Sequence, residues 1–230
     1  MTGRRVADRL EASAIADAAI ALADAEGVAA VSMRRVGAAL GVSGMALYRH
    51  VGDREDLVRR MVARIAAELP HVPAGEVGWR ETLEHLATTE WTAFERHRWL
   101  VDVAVSPSRL VDATSAPETE TVLARLVAAG CPPDRAGDVF LGTAALVIGI
   151  ARVTLGPPSG LPSGTAPGTG ASRPVEYAAD HPGGGAPAEG ALTARFRGEP
   201  FDAGRGRRLL EVALGSYLDG VAHSLHPRDR

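Results

Sequence analysis

The sequence predicts an all-α protein: an N-terminal helix-turn-helix domain followed by a larger helical domain. Three observations lead there. Apolar residues recur at helical spacing along the chain, residues 31–51 read as two short helices around a tight turn, and two C-terminal stretches are apolar beyond the needs of one core. A chain of 230 residues with 46% hydrophobic and 23% charged residues has ordinary globular composition, which excludes disorder of the whole.

Residues 1–9 form a short polar tail with Arg4, Arg5 and Arg9, too brief to fold alone. Glu11 to Glu26 is Ala-rich, with Ala12, Ile15, Ala19 and Leu22 at helical spacing and Gly27 to close it. Ser32 is then placed to cap a helix whose Met33, Val36 and Leu40 share one face. Gly41 can take the positive φ that ends it, Val42 plugs the corner, and Ser43 can cap the next helix. In that second helix Leu47 and Val51 point inward, which leaves Gly44, Met45, Tyr48 and Arg49 on an outer face. Small Gly44 and Ala46 allow close approach to a groove, and Met45, Tyr48 and Arg49 offer apolar, hydroxyl and cationic contact to bases or phosphates. Such a face suits a recognition helix in a DNA major groove. Asp53 caps the following helix, Asp53–Leu69, with Glu55 and Asp56 at its positive end and Leu57, Met61 and Ile65 as its inner stripe until Pro70.

The run Val31 to Leu57, with Leu47-Tyr48-Arg49-His50-Val51 and Asp53-Arg54-Glu55-Asp56-Leu57, resembles the DNA-binding domain of TetR-type transcriptional repressors, best the tetracycline-repressor-like subgroup. The likeness is dense from about Leu10 to Glu68; beyond that it is similar mainly in helix order. It implies an all-helical homodimer whose residues 10–69 grip double-stranded operator DNA and whose residues 70–230 bind a small-molecule effector and dimerise. The residues expected on DNA are Ser32, Met33 and Arg34 on the first helix and Ser43, Gly44, Met45, Ala46, Tyr48 and Arg49 on the second. His50 and Arg54 are expected to anchor phosphates. Drug recognition as in tetracycline binders would require an Asn where Leu86 stands and a His where Ala104 stands, so the resemblance does not extend to that ligand.

Beyond the broken stretch Pro70–Gly78, residues from Trp79 to about Arg98 form a long helix. At 100° per residue Trp79, Leu83, Leu86, Glu90, Phe94 and His97 fall on one side. An acid and an imidazole inside an apolar stripe are either a satisfied core pair or part of a ligand pocket. The pocket reading adds Phe140 and Thr143 from a later helix. A second broken region follows around Pro107, then a helix from Glu118 to Ala129 that ends at Gly130, and another from Asp134 to about Leu155. This last one is apolar nearly all round, and from Gly204 a final helix carries Leu210, Leu214, Tyr217, Leu218 and Val221 in a second rich seam. Covering both faces of each calls for a second copy in an intermolecular four-helix bundle, with Gly142 and Gly149 allowing close approach. Residues 156–200, dense in Gly, Pro, Ser and Ala, read mostly as a disordered loop.

The net charge of −3 conceals a division: residues 1–64 hold 10 Arg against 8 acids, and residues 65–230 hold 15 Arg against 20 acids. The basic part is the helix-turn-helix part. The lone Cys131 cannot form an internal disulfide, no apolar leader precedes the first helix, and the apolar run Val139–Ala151 is shorter than the roughly 20 residues of a bilayer span; these point to a cytoplasmic protein without a membrane partner. No metalloprotease, redox, phosphate-loop or hydrolase motif occurs, so no enzyme activity, metal or cofactor is expected. The expected function is a ligand-responsive repressor of transcription that binds a palindromic operator and is released by a small hydrophobic effector, cationic if Glu90 receives it. The alternative is a helical small-molecule-binding protein or enzyme in which DNA binding is secondary.

Overall fold

A computed structural model describes residues 12–104, 116–155 and 202–225. The tail 1–9 and the whole of the loop 156–200 lie outside them. Every element among the described residues is helical: α1 (Ala12–Glu26), a 3-10 turn (Val28–Ala30), α2 (Met33–Ala39), α3 (Gly44–Leu47), α4 (Arg54–Ala66), α5 (Trp79–Arg96), α6 (Leu100–Ala104), α7 (Ala116–Ala128), α8 (Pro133–Thr154) and α9 (Ala203–Leu225).

Helices α1 to α4 enclose a small core of Ile15, Ala19, Val36, Leu47, Val51, Leu57 and Met61. Local chemistry sets its boundaries. The Ser32 hydroxyl accepts the Arg35 N–H at 3.3 Å, and Asp53 caps α4 by accepting from Asp56 N at 2.7 Å. Asp56 returns the favour to the chain entering the helix, accepting from Gly52 N at 2.9 Å, and that bond is the first reason its carboxyl titrates below the usual carboxylate range. Gly27 and Gly41 adopt φ of 85° and 69°, the left-handed conformation that releases the chain from α1 and α2.

In the C-terminal half, α8 packs against α5, α6, α7 and α9. By length and composition α8 could cross a bilayer, but here its Val139, Thr143, Val147 and Ala151 are buried in the protein. Its outer side is different. Leu141 and Val153, with Ala145 and Gly149 between them, form an exposed stripe at four-residue spacing, and Leu209 and Val212 are exposed on α9. The two glycines expected at a subunit contact divide between two duties. A Cβ on Gly142 would lie 2.3 Å from the Tyr217 hydroxyl, so that glycine serves the packing of α8 on α9 within the chain, whereas a Cβ on Gly149 meets nothing within 4 Å. Helix α6 was not visible as periodicity, being only five residues long.

Candidate nucleic-acid interface and ligand cavity

Helices α2 and α3 meet backbone to backbone. A Cβ on Gly37 would approach Gly44 N and Val42 O to 2.9 Å, and one on Gly44 would approach Arg34 N and Cα to 3.1 Å. Gly44 therefore faces α2, not outward, a departure from the sequence expectation whose cause is this close crossing. Neither backbone can yield without moving a helix, so Gly37→Ala is expected to lower stability by about 1–3 kcal/mol and to weaken DNA binding with it. Urea unfolding monitored beside operator titration checks this; a fully stable, fully binding variant would show that the crossing has slack.

Helix α3 itself is short, with turns continuing through His50; Leu47 and Val51 are buried as the spacing requires. Ser43 occupies the N-cap position without a side-chain cap bond. Outward from the pair stand Met45, 76% exposed, and Tyr48, 52% exposed, with Arg34 and Arg49 also on the surface. Neither guanidinium has a hydrogen-bond or ion-pair partner among the described residues. Ala46 and His50 are half-buried beside them. Two expected contacts lie elsewhere. Met33 is buried in the small core, and Arg54 turns back, its Nε donating to Val31 O at 3.0 Å and an Nη to Val28 O at 2.8 Å. Those carbonyls stand at the two ends of the 3-10 turn ahead of α2, so Arg54 ties the start of α4 to the reading pair.

Behind this domain lies a cavity of about 290 Å³. Leu83, Leu86, Glu90 and Phe94 of the α5 stripe line it, with Phe140 and Thr143 of α8. Trp79 and His97 do not. Trp79 packs against the core at the start of α5, and His97 lies just past its end, where the chain leaves the helix and the ring turns to Asp24 with Nδ1 2.8 Å from Oδ1. Further wall comes from elements the stripe on α5 could not reveal: Val62, Ile65 and Ala66 at the end of α4 with Leu69 just past it, and Leu100, Val103 and Ala104 on α6. The spacing of the first four at i, i+3, i+4 and i+7 was the available signal. Leu86 and Ala104 both face this cavity, so the departures from tetracycline-type residues fall in its wall.

Glu90 is the polar exception in an apolar surround. Its carboxyl has no hydrogen-bond or ion-pair partner among the described residues, and desolvation pushes its pKa up to about 8. Glu118 lines the far end but is bound to His71 Nδ1 at 2.7 Å. The cavity thus offers one unpartnered acid in a mainly apolar wall whose other polar side chains are Thr89, Thr143 and Glu118.

Residues 15–61 match the family described as bacterial regulatory proteins, tetR family. The N-terminal part of the chain is thus a DNA-binding domain of the tetR type. The chain is 39% identical over 108 residues to the HTH-type transcriptional repressor DrrR1 of Streptomyces coeruleorubidus, an alignment covering 44% of this chain and 40% of that relative's length. Among solved structures, the TetR-family protein ActR of Streptomyces coelicolor in complex with actinorhodin matches at 26% identity and TM-score 0.57, over 64% of this chain and 70% of ActR. BioQ with its double-stranded DNA operator shares the fold at 17% identity and TM-score 0.61, over 93% of this chain and 99% of that one.

Proposed function

We propose that the protein is a ligand-responsive transcriptional repressor that grips a palindromic operator as a homodimer and lets go when a small hydrophobic cation enters the Glu90 cavity. The observation that carries this reading is the sharing of α4 by both sites. At one end Arg54 ties α4 to the helix-turn-helix; at the other, Val62, Ile65 and Ala66, with Leu69 just past the helix, are cavity wall. Two half-sites on one face of DNA lie about 34 Å apart. A ligand that presses on the end of α4 tilts it, and a small tilt at that lever arm takes one recognition helix out of its groove. The likeness to ActR with actinorhodin supports the ligand half of this reading, and the likeness to DrrR1 supports the repressor half.

On DNA, Met45 and Tyr48 are assigned to base edges, and Arg34, Arg49 and His50 to phosphates or bases, since they stand on the outward side of the pair. Arg54, Met33 and Gly44 act behind them by holding the two helices in register. The test is an operator selected from random duplex DNA and titrated at several salt concentrations. Arg49→Ala is expected to flatten the logarithmic salt dependence by roughly one unit if it meets a phosphate, or to lose about 1–3 kcal/mol at a single base pair if it meets a base. Arg49→Ala and Tyr48→Phe that both bind like the parent would remove this face from the interface.

A further inference from the structure

We infer that Asp24 is a positioning residue that couples the cavity to the DNA-binding helices by latching the corner between α5 and α6 onto α1. This rests on the reading above, in which cavity and operator sites are linked. The Asp24 carboxylate, in the last turn of α1, receives two donors from one short segment: His97 Nδ1 at 2.8 Å and Trp99 Nε1 at 2.8 Å, both to Oδ1, with Oδ2 3.1 Å from the same imidazole nitrogen. An ionised carboxylate can only accept, so the His97 nitrogen facing it carries its hydrogen. Trp99 is almost wholly buried, so its indole N–H has no ready replacement partner in water.

The place of this segment in the chain is what makes the contact more than a tether. Phe94, three residues before His97, lines the cavity, and so do Leu100, Val103 and Ala104 directly after Trp99. A ligand that moves either flank moves residues 97–99. Beside the latch lies a cleft of about 180 Å³ lined by Asp17, Ile20 and Ala21 of α1, Arg64 and Ile65 of α4, Glu68 just past α4, and His97; Arg64 pairs with Asp17 at 3.0 Å and so joins α1 to α4, not to the corner. Helix α1 makes few other contacts with α5 or α6, so the two hydrogen bonds are what oblige α1 to follow the corner. Helix α1 in turn packs on α2 and α4. A ligand can thus reach the helix-turn-helix by a second route, independent of its direct pressure on α4, and two attachments turn the domain as a body where one would only bend it.

Linkage is reciprocal, so the latch can be tested from the DNA side without knowing the natural ligand. Hydrogen exchange at the amides of Leu100, Val101 and Asp102, which bond back to His97, Arg98 and Trp99 carbonyls, is measured on the full chain with and without an operator selected from random duplexes. In the parent, operator binding is expected to change these rates within the about 5–150-fold range of allosteric couplings. Asp24→Ala, which removes both acceptors, and Trp99→Phe, which keeps an aromatic ring but deletes the indole donor, are expected to abolish most of that change while still binding operator; Asp24→Asn, which retains an oxygen for the indole, is expected to restore much of it. A parent whose corner is indifferent to operator would overturn the functional reading, and the latch with it. A change that persists undiminished in Asp24→Ala and Trp99→Phe leaves that reading standing and overturns the latch alone. Should Asp24→Ala fail to fold, Trp99→Phe decides.

Discussion

Gly149→Arg is expected to divide the protein into folded monomers and to reduce operator affinity by about 10²–10⁴-fold. The reasoning begins with the exposed stripe on α8, where Val153 is 62% exposed and Leu141 39%, beside Val212 on α9 at 70%. Apolar residues clustered in this way on two neighbouring helices form a patch that a water-exposed monomer tolerates poorly. A second copy related by two-fold symmetry would cover it, with α8 and α9 of each protomer making four helices. Gly149 lies in the stripe, and a side chain added there meets nothing within 4 Å of its Cβ, so arginine is accommodated by the protomer and not by a partner pressed against it. Burying its charge without a counter-ion is too costly for the contact to survive. Without the partner, each recognition helix must bind its half-site alone and the gain from effective concentration is lost. Sedimentation of parent and variant at equal micromolar concentration, beside operator titration, decides the matter: a stable parent monomer, or a dimeric variant, sinks the proposal. Gly142→Ala gives the contrast, because its Cβ would collide with Tyr217 inside the chain and should cost stability without first changing the assembly.

For Glu90→Gln the expected result is a more stable protein that responds less to cationic ligands. In the unfolded chain Glu90 ionises at its ordinary 4.5, and in the fold only at about 8. Folding therefore takes up a proton between those values, and stability falls as pH rises from about 4.5 to about 8, then levels off. Glutamine removes this penalty, a gain on the order of 3 kcal/mol at pH 8 after allowance for water in the cavity. Thermal midpoints should thus coincide for parent and variant near pH 4.5 and separate as pH rises. The same proton competes with a cation for the carboxylate. Affinity of the parent for a hydrophobic monocation such as tetraphenylphosphonium should climb with pH towards 8, and the variant should bind it weakly with no such slope. Operator binding without ligand should be little altered. If the variant loses folding and DNA binding together, Glu90 is a core residue and not a ligand site.

The parts of this molecule that were legible in its sequence are those decided within a turn or two of chain. Ser32 and Asp53 cap the helices they precede because an oxygen two or three residues from an orphan N–H can reach it in almost any fold; Gly27 and Gly41 end helices because they tolerate a positive φ that their neighbours resist. Helical spacing likewise brought Leu83, Leu86, Glu90 and Phe94 to one face before any partner was known, and that face does line the cavity. What only the tertiary structure decided is which side of an element meets which neighbour. Gly44 shares a helix with Tyr48 yet faces α2, because the pair crosses too closely for a Cβ; Arg54 bonds to carbonyls 23 and 26 residues earlier; His97 continues the stripe in sequence but sits past the last helical residue, where the backbone turns it to Asp24, 73 residues away. The cavity wall on α4 and α6 belongs with these. A period of 3.6 residues records that a face is apolar; the partner against which it is buried is set by contacts between distant segments, and those form only when the whole chain has packed.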